Sequence, residues 1–200
     1  MKIHLLRHGQ TDWNESGRLQ GQQDIPLNEI GQQQMERFCQ QTRGPYSMII
    51  SSPLRRALQS AQICAQKLGL LIRVLPAFAE RSFGRFEGMM KDDIRKQFHI
   101  DDVEELDNVH GIESIKNFRT RLEAGLQELS HTPADGPILL VTHGSVIRVA
   151  TRISSLQLTV DSRTLDPLRL GRIVPNGSLV EMDLPKIYMR ELPYKGGPFS

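Results

Sequence analysis

Two hundred residues suit one globular domain, and 38% hydrophobic against 24% charged residues supplies a sizeable core and excludes a disordered chain. A net charge of +2, from 25 basic and 23 acidic residues, lacks the basic excess of a nucleic-acid binder. The first apolar run is too short for a signal peptide, and none approaches the ~18 residues of a membrane span, so the expectation is a soluble, cytoplasmic protein with no nucleic-acid or membrane partner.

Lys2–Leu6 reads as a strand, cut off by Arg7-His8-Gly9. Residues 28–43 read as a helix, although Gly31 and a run of glutamines weaken its apolar stripe. Met48-Ile49-Ile50-Ser51 is a second short strand. The next helix is the clearest: Ser52 caps it, Pro53 fits its first turn, and Gly69 ends it. Leu54, Ala57, Leu58, Ala61, Ala65 and Leu68 recur along it at helical spacing. Cys39 and Cys64 take apolar helix positions and read as small buried hydrophobes, not as a disulfide or metal pair. Leu71–Leu75 is a third strand, and residues 76–113 are loop-rich with one helix near 89–98. Ile115, Phe118, Leu122, Leu126 and Leu129 mark another helix. Ile138–Thr142 is continuously apolar, as a strand buried on both faces is, and a helix over 145–156 follows. Ser178–Asp183 and Ile187–Leu192 read as late strands, and the Gly- and Pro-containing tail Pro193–Ser200 as flexible. Strands alternating with helices predict an α/β sandwich with a mostly parallel sheet, one domain over residues 1–200.

In such sheets ligands bind beyond the carboxyl ends of the strands. Two histidines stand there, each followed by glycine: His8 after the first strand and His143 after the Ile138–Thr142 strand. Arg7 adjoins the first, and Arg56 lies in the first turn of the clearest helix, where a cation is unfavourable by up to about 1 kcal/mol unless an anion compensates it. Arg55 fits a solvated face. The backbone N–H groups of Gly144 and Ser145 open a helix, a ready anion site. Together these donors describe a pocket for a phosphoryl group, since the planar guanidinium matches phosphate oxygens. A metal centre fits less well: the arginines would repel a cation, and no carboxylate or thiolate lies at ligand spacing. His4, His99, His110 and His131 carry no expected role. A histidine in a cationic phosphate pocket can attack phosphorus, and the leaving alkoxide then needs a proton. Glu80 or Glu87 can supply it, and spacing alone does not choose.

Five blocks in order resemble the histidine phosphatase superfamily, the phosphoglycerate mutase-like proteins. They are Leu6–Asn14, Leu19-Gln20-Gly21 with Asp24–Gly31, Ser52–Ala57, Ala79-Glu80-Arg81 with Phe83-Gly84 and Glu87-Gly88, and Val141-Thr142-His143-Gly144 after Glu113-Ser114. The resemblance implies a three-layer α/β/α sandwich. It makes His8 the phosphorylated nucleophile and Glu80 the proton donor, with Glu87 secondary. It groups Arg7, Arg56, His143 and Asn14 around the phosphate, with Gln20, Gly21, Gly144 and Ser145 near it. It implies no metal and no other cofactor.

The family holds phosphatases and mutases. A phosphoglycerate mutase must grip a second anionic group. Here the middle segment is short and carries the acidic run Asp101–Asp107, read as a solvated face, with Lys91, Arg95 and Lys96 as the only partial clamp. The expected activity is therefore a metal-independent phosphatase acting on a small phosphorylated metabolite through a phosphohistidine. The α-ribazole phosphatase type is one relative of this length. A cofactor-dependent phosphoglycerate mutase and a non-catalytic phospho-ligand binder are the alternatives, and a homodimer is the expected assembly.

Overall fold

The computed structural model describes residues 1–42, 45–155 and 174–184, with backbone alone at 154–155. The elements, in chain order, are β1 (Lys2–Arg7), α1 (Asp12–Glu15), α2 (Glu29–Gln41), β2 (Met48–Ser51), α3 (Arg55–Leu68), β3 (Ile72–Val74), α4 (Lys91–Phe98), α5 (Ile115–Ser130), β4 (Ile138–Thr142), α6 (Gly144–Ser155) and β5 (Leu179–Asp183). Short 3-10 turns at Pro76–Phe78, Gly84–Phe86 and Val103–Glu105 interrupt the middle of the chain. The expected strand Ile187–Leu192 and the tail Pro193–Ser200 lie outside the described residues. Among the described residues no helix is long and apolar enough to cross a membrane.

Among the described residues five strands form one sheet in the order β3-β2-β4-β1-β5, parallel except for β5. Its two faces follow from the period-two alternation of strand side chains. Ile3, Leu5, Ile138 and Leu140 pack on one face with Phe118, Leu122 and Leu126 of α5 and Val146, Ile147 and Ala150 of α6. Leu6, Ile49, Leu139 and Val141 pack on the other with Met35 of α2 and Ala57, Ala61 and Cys64 of α3. All five residues of β4 are buried, as a strand covered on both faces must be. This is the three-layer sandwich. Gly31, which weakens the α2 pattern, is required there: a Cβ on it would stand 2.1 Å from the Gln10 carbonyl oxygen.

Two local expectations fail. Ser52 does not cap α3, which begins at Arg55 with Leu54 as its cap residue and no side-chain cap. Ser52 instead continues the sheet, its N–H donating to Val141 O at 3.0 Å, and its hydroxyl is spent elsewhere. The middle segment also has a core of its own, in which Leu19, Phe83, Phe86, Ile94, Val103, Leu106 and Ile112 pack together.

Candidate active site

The parallel ladder delivers the site. Arg7 pairs with Thr142 and Ser51 with Val141, so β1, β4 and β2 end side by side. One more rung follows, His8 N donating to Thr142 O at 3.0 Å. His8 and His143 therefore emerge together, their ring centroids 5.2 Å apart. Both are buried among cations. Burial first, then Arg56 and Arg7, hold the His8 imidazole well below the usual histidine range, and burial and Arg56 do the same for His143.

One contact fixes the His8 tautomer. Its Nδ1 lies 2.7 Å from the Gly9 carbonyl, which can only accept, so Nδ1 carries the hydrogen and Nε2 the lone pair. Arg56 Nε donates to that Nε2 at 3.3 Å. His143 is held by Ser52, whose Oγ lies 2.7 Å from Nε2, while its buried Nδ1 has no protein partner.

Arg56 is 1% exposed, although it sits in the first turn of α3. Its terminal nitrogens donate to Gln23 O at 2.7 Å and Gly21 O at 2.8 Å. That loop needs glycine at position 21, where φ is +52° and a Cβ would meet the Glu87 carboxylate at 2.1 Å. Glu87 is thus a bracket for the loop, accepting from Gln22 N at 3.0 Å, Phe83 N at 2.9 Å and Gln23 Nε2 at 2.9 Å. It does not line the pocket. Arg7 does, with its Nη1 donating to the Val174 carbonyl and its buried Nε unpartnered. Burial lowers both Arg7 and Arg56 to about 10, which leaves each a cation at neutral pH.

Asn14 is oriented by α1. Its Oδ1 accepts from Thr11 N at 3.2 Å and Asn176 Nδ2 at 3.2 Å, so the free end facing other partners is the Nδ2 donor. Asn176 also donates to His8 O at 3.0 Å, and Gly9 N donates to Ser60 Oγ at 3.1 Å. Ser52, Ser60 and Asn176 are absent from the site expected from sequence. Two of them carry a signal there: Ser52 opens the Ser52–Ala57 block, and Asn176 stands in the Pro175-Asn176-Gly177 turn tripeptide.

Glu80 faces the same space. Its Oε1 accepts from Arg81 N at 3.0 Å, and its Oε2 lies 3.4 Å from Ser145 N at the start of α6. Arg121 secures its backbone, donating to Glu80 O at 2.9 Å and Ala79 O at 2.8 Å. The resulting cavity measures about 590 Å³, within the range of small-molecule sites. Arg7, His8, Asn14, Gln20, Gly21, Arg56, Glu80, Gly144 and Ser145 all line it; His143, fully buried, stands behind. The acidic run is a correction. Asp101–Glu105 forms a wall of this cavity, not a solvated face, because Arg81, 0% exposed, pulls the segment inward by donating to Glu104 O at 3.0 Å and Leu106 O at 2.7 Å. The Ser145 hydroxyl is engaged by Glu104.

The chain is 33% identical over 155 residues to the uncharacterized phosphatase PhoE of Bacillus subtilis (strain 168), covering 76% of this chain and 77% of that one. It is 35% identical over 155 residues to a probable phosphoglycerate mutase GpmB of Yersinia pestis (strain Pestoides F), covering 74% and 71%. Among solved structures, a mycobacterial glucosyl-3-phosphoglycerate phosphatase in complex with VO3 superposes with a TM-score of 0.72 at 27% identity, covering 92% of this chain and 98% of that one. A phosphoglycerate mutase from Thermus thermophilus superposes with a TM-score of 0.66 at 29% identity, covering 92% and 94%. The family model of the histidine phosphatase superfamily (branch 1) matches residues 3–183, and on that match the chain belongs to this superfamily.

Proposed function

We propose that the protein is a metal-independent phosphatase that hydrolyses a small phosphomonoester through a phosphohistidine on His8. The observation that carries this is the His8 tautomer: Nδ1–H is committed to Gly9 O at 2.7 Å, which leaves the Nε2 lone pair among guanidiniums. In the first step Nε2 attacks phosphorus and the ester oxygen departs with the bonding pair, taking a proton from the Glu80 carboxylic acid. Arg56 Nε turns from Nε2 to a phosphoryl oxygen. Arg7, the Asn14 amide and His143 take the others; Ser52 donates to His143 Nε2 and so leaves Nδ1–H free. In the second step the Glu80 carboxylate takes a proton from water, the hydroxyl oxygen attacks phosphorus, and Nε2 leaves with its electron pair. Charge is neutralised by side chains, so no divalent cation is needed.

A second reading, phosphoglycerate mutase, draws support from the printed name of the Yersinia relative and from Lys91, a further cation on the cavity wall. One assay separates the two. Phosphate release from a panel of phosphomonoesters is measured in excess EDTA, with 3-phosphoglycerate also checked for isomerisation. Hydrolysis is expected to survive EDTA and to fall at least about a thousandfold in His8→Ala. Isomerised phosphoglycerate without free phosphate would make the protein a mutase, and undiminished hydrolysis in His8→Ala would refute the mechanism.

A further inference from the structure

Besides His8 with Arg7 and Arg56, the cavity wall carries Arg95 and Arg148, and both are already paired with carboxylates. Arg148 of α6 lines it. This is the residue that would grip a second anionic group of a substrate, but both ends of its guanidinium are taken. Nη1 donates to Asp102 Oδ2 at 3.0 Å, and Nη2 donates to Glu104 Oε1. The same Glu104 oxygen accepts the Ser145 hydroxyl, another donor on the wall. Arg95, also on the wall, is paired with Asp92. Lys91 remains on the wall without a carboxylate at ion-pair distance among the described residues, and burial first, then the nearby Arg7 guanidinium, lowers its pKa, while Glu80 and Asp102 act in the opposite sense.

A separate observation concerns another lining residue. Gln20 is 7% exposed, lines the cavity, and its buried Oε1 has no partner. A buried acceptor without a donor calls for a ligand O–H or N–H; a carboxylate there would face another oxygen.

We propose that Glu104 and Asp102 are built-in counter-anions that set leaving-group specificity: by holding Arg148 and Ser145 they reserve this part of the cavity for an uncharged, hydroxyl-bearing alcohol, with Gln20 as its acceptor, and reject substrates with a second anionic group. A substrate carboxylate would lie against two carboxylates whose cation is already committed, an unpaired charge in a partly desolvated site. This rests on the hydrolytic reading above, but it is a statement about who enters the pocket.

The test uses two compounds of one size, glycerol 3-phosphate and 3-phosphoglycerate, which differ by a hydroxymethyl group in place of a carboxylate. The wild-type kcat/KM is expected to favour glycerol 3-phosphate by at least about tenfold, ~1.4 kcal/mol. Glu104→Gln combined with Asp102→Asn frees Arg148 and should move that ratio at least about tenfold toward 3-phosphoglycerate. Adding Arg148→Met should cancel the gain, which loss of packing alone would not do. Asp102→Asn alone, the milder change, should shift the ratio in the same direction. A wild-type preference for 3-phosphoglycerate, or a ratio unmoved by these variants, overturns the proposal. If no phosphomonoester is turned over, the hydrolytic reading fails by itself. The two dissociation constants, measured by calorimetry on the same proteins, then decide specificity, with equal constants overturning it.

Discussion

His8 and His143 are 2% and 0% exposed, and burial together with Arg56 and Arg7 keeps both imidazoles neutral. In the unfolded chain the same imidazoles take protons near pH 6.5. The unfolded state then binds more protons as pH falls, so the stability that these histidines retain above about pH 6.5 is lost progressively below it. Urea denaturation from pH 7.5 to 5 is expected to show this loss. His8→Asn should reduce the pH slope by up to ~1.4 kcal/mol per unit, the share of one proton. Equal slopes in the two proteins would contradict a neutral, buried His8. At this scale the sequence was informative where chemistry is concentrated in one residue type. Arg7, His8, Arg56 and His143 could be read as a cationic group meeting an anion. Ser52, Ser60 and Asn176 could not, because each matters through hydrogen bonds to residues distant in the chain.

Glu80 and Glu87 were equivalent by spacing, and the fold separates them. The 3-10 turn at Gly84–Phe86 reverses the chain between them, so Glu80 faces the cavity while Glu87 turns back onto the Gly21 loop. That loop holds Arg56 through Gly21 O and Gln23 O. Gly21→Ala puts a Cβ against Glu87 and forces a left-handed φ on a non-glycine residue. It is expected to cost about 1–3 kcal/mol in stability and, through Arg56, to lower kcat/KM more than about tenfold. A Gly21→Ala protein with wild-type kinetics would show that the loop does not position Arg56. The misplaced start of α3 has the same kind of cause. Ser52 and Pro53 carry a capping signature, but the ladder to Val141 claims Ser52 first, and tertiary pairing overrides the local preference.

For the whole molecule, the sandwich is legible because strand and helix periods alternate along β1 to α3 and α5 to α6, even though the α2 stripe is weak. Residues 76–113 are not. Their 3-10 turns have no extended period to read, and their small core is assembled from apolar residues scattered between Leu19 and Ile112. The acidic run was misjudged for a related reason: charges facing a cavity and charges facing solvent look alike in sequence, and it takes the buried Arg81 to turn this segment inward. The central claim concerns a covalent bond, and it is tested most directly by trapping it. The protein is mixed with p-nitrophenyl phosphate, quenched in alkaline denaturant to preserve phosphohistidine, and digested for peptide mass spectrometry. The account predicts a phosphoryl group on His8, absent in His8→Ala and more abundant in Glu80→Gln, where p-nitrophenolate departs without an acid but water is not activated. Phosphate release with no phosphorylated histidine, or with the label on another residue, would contradict it.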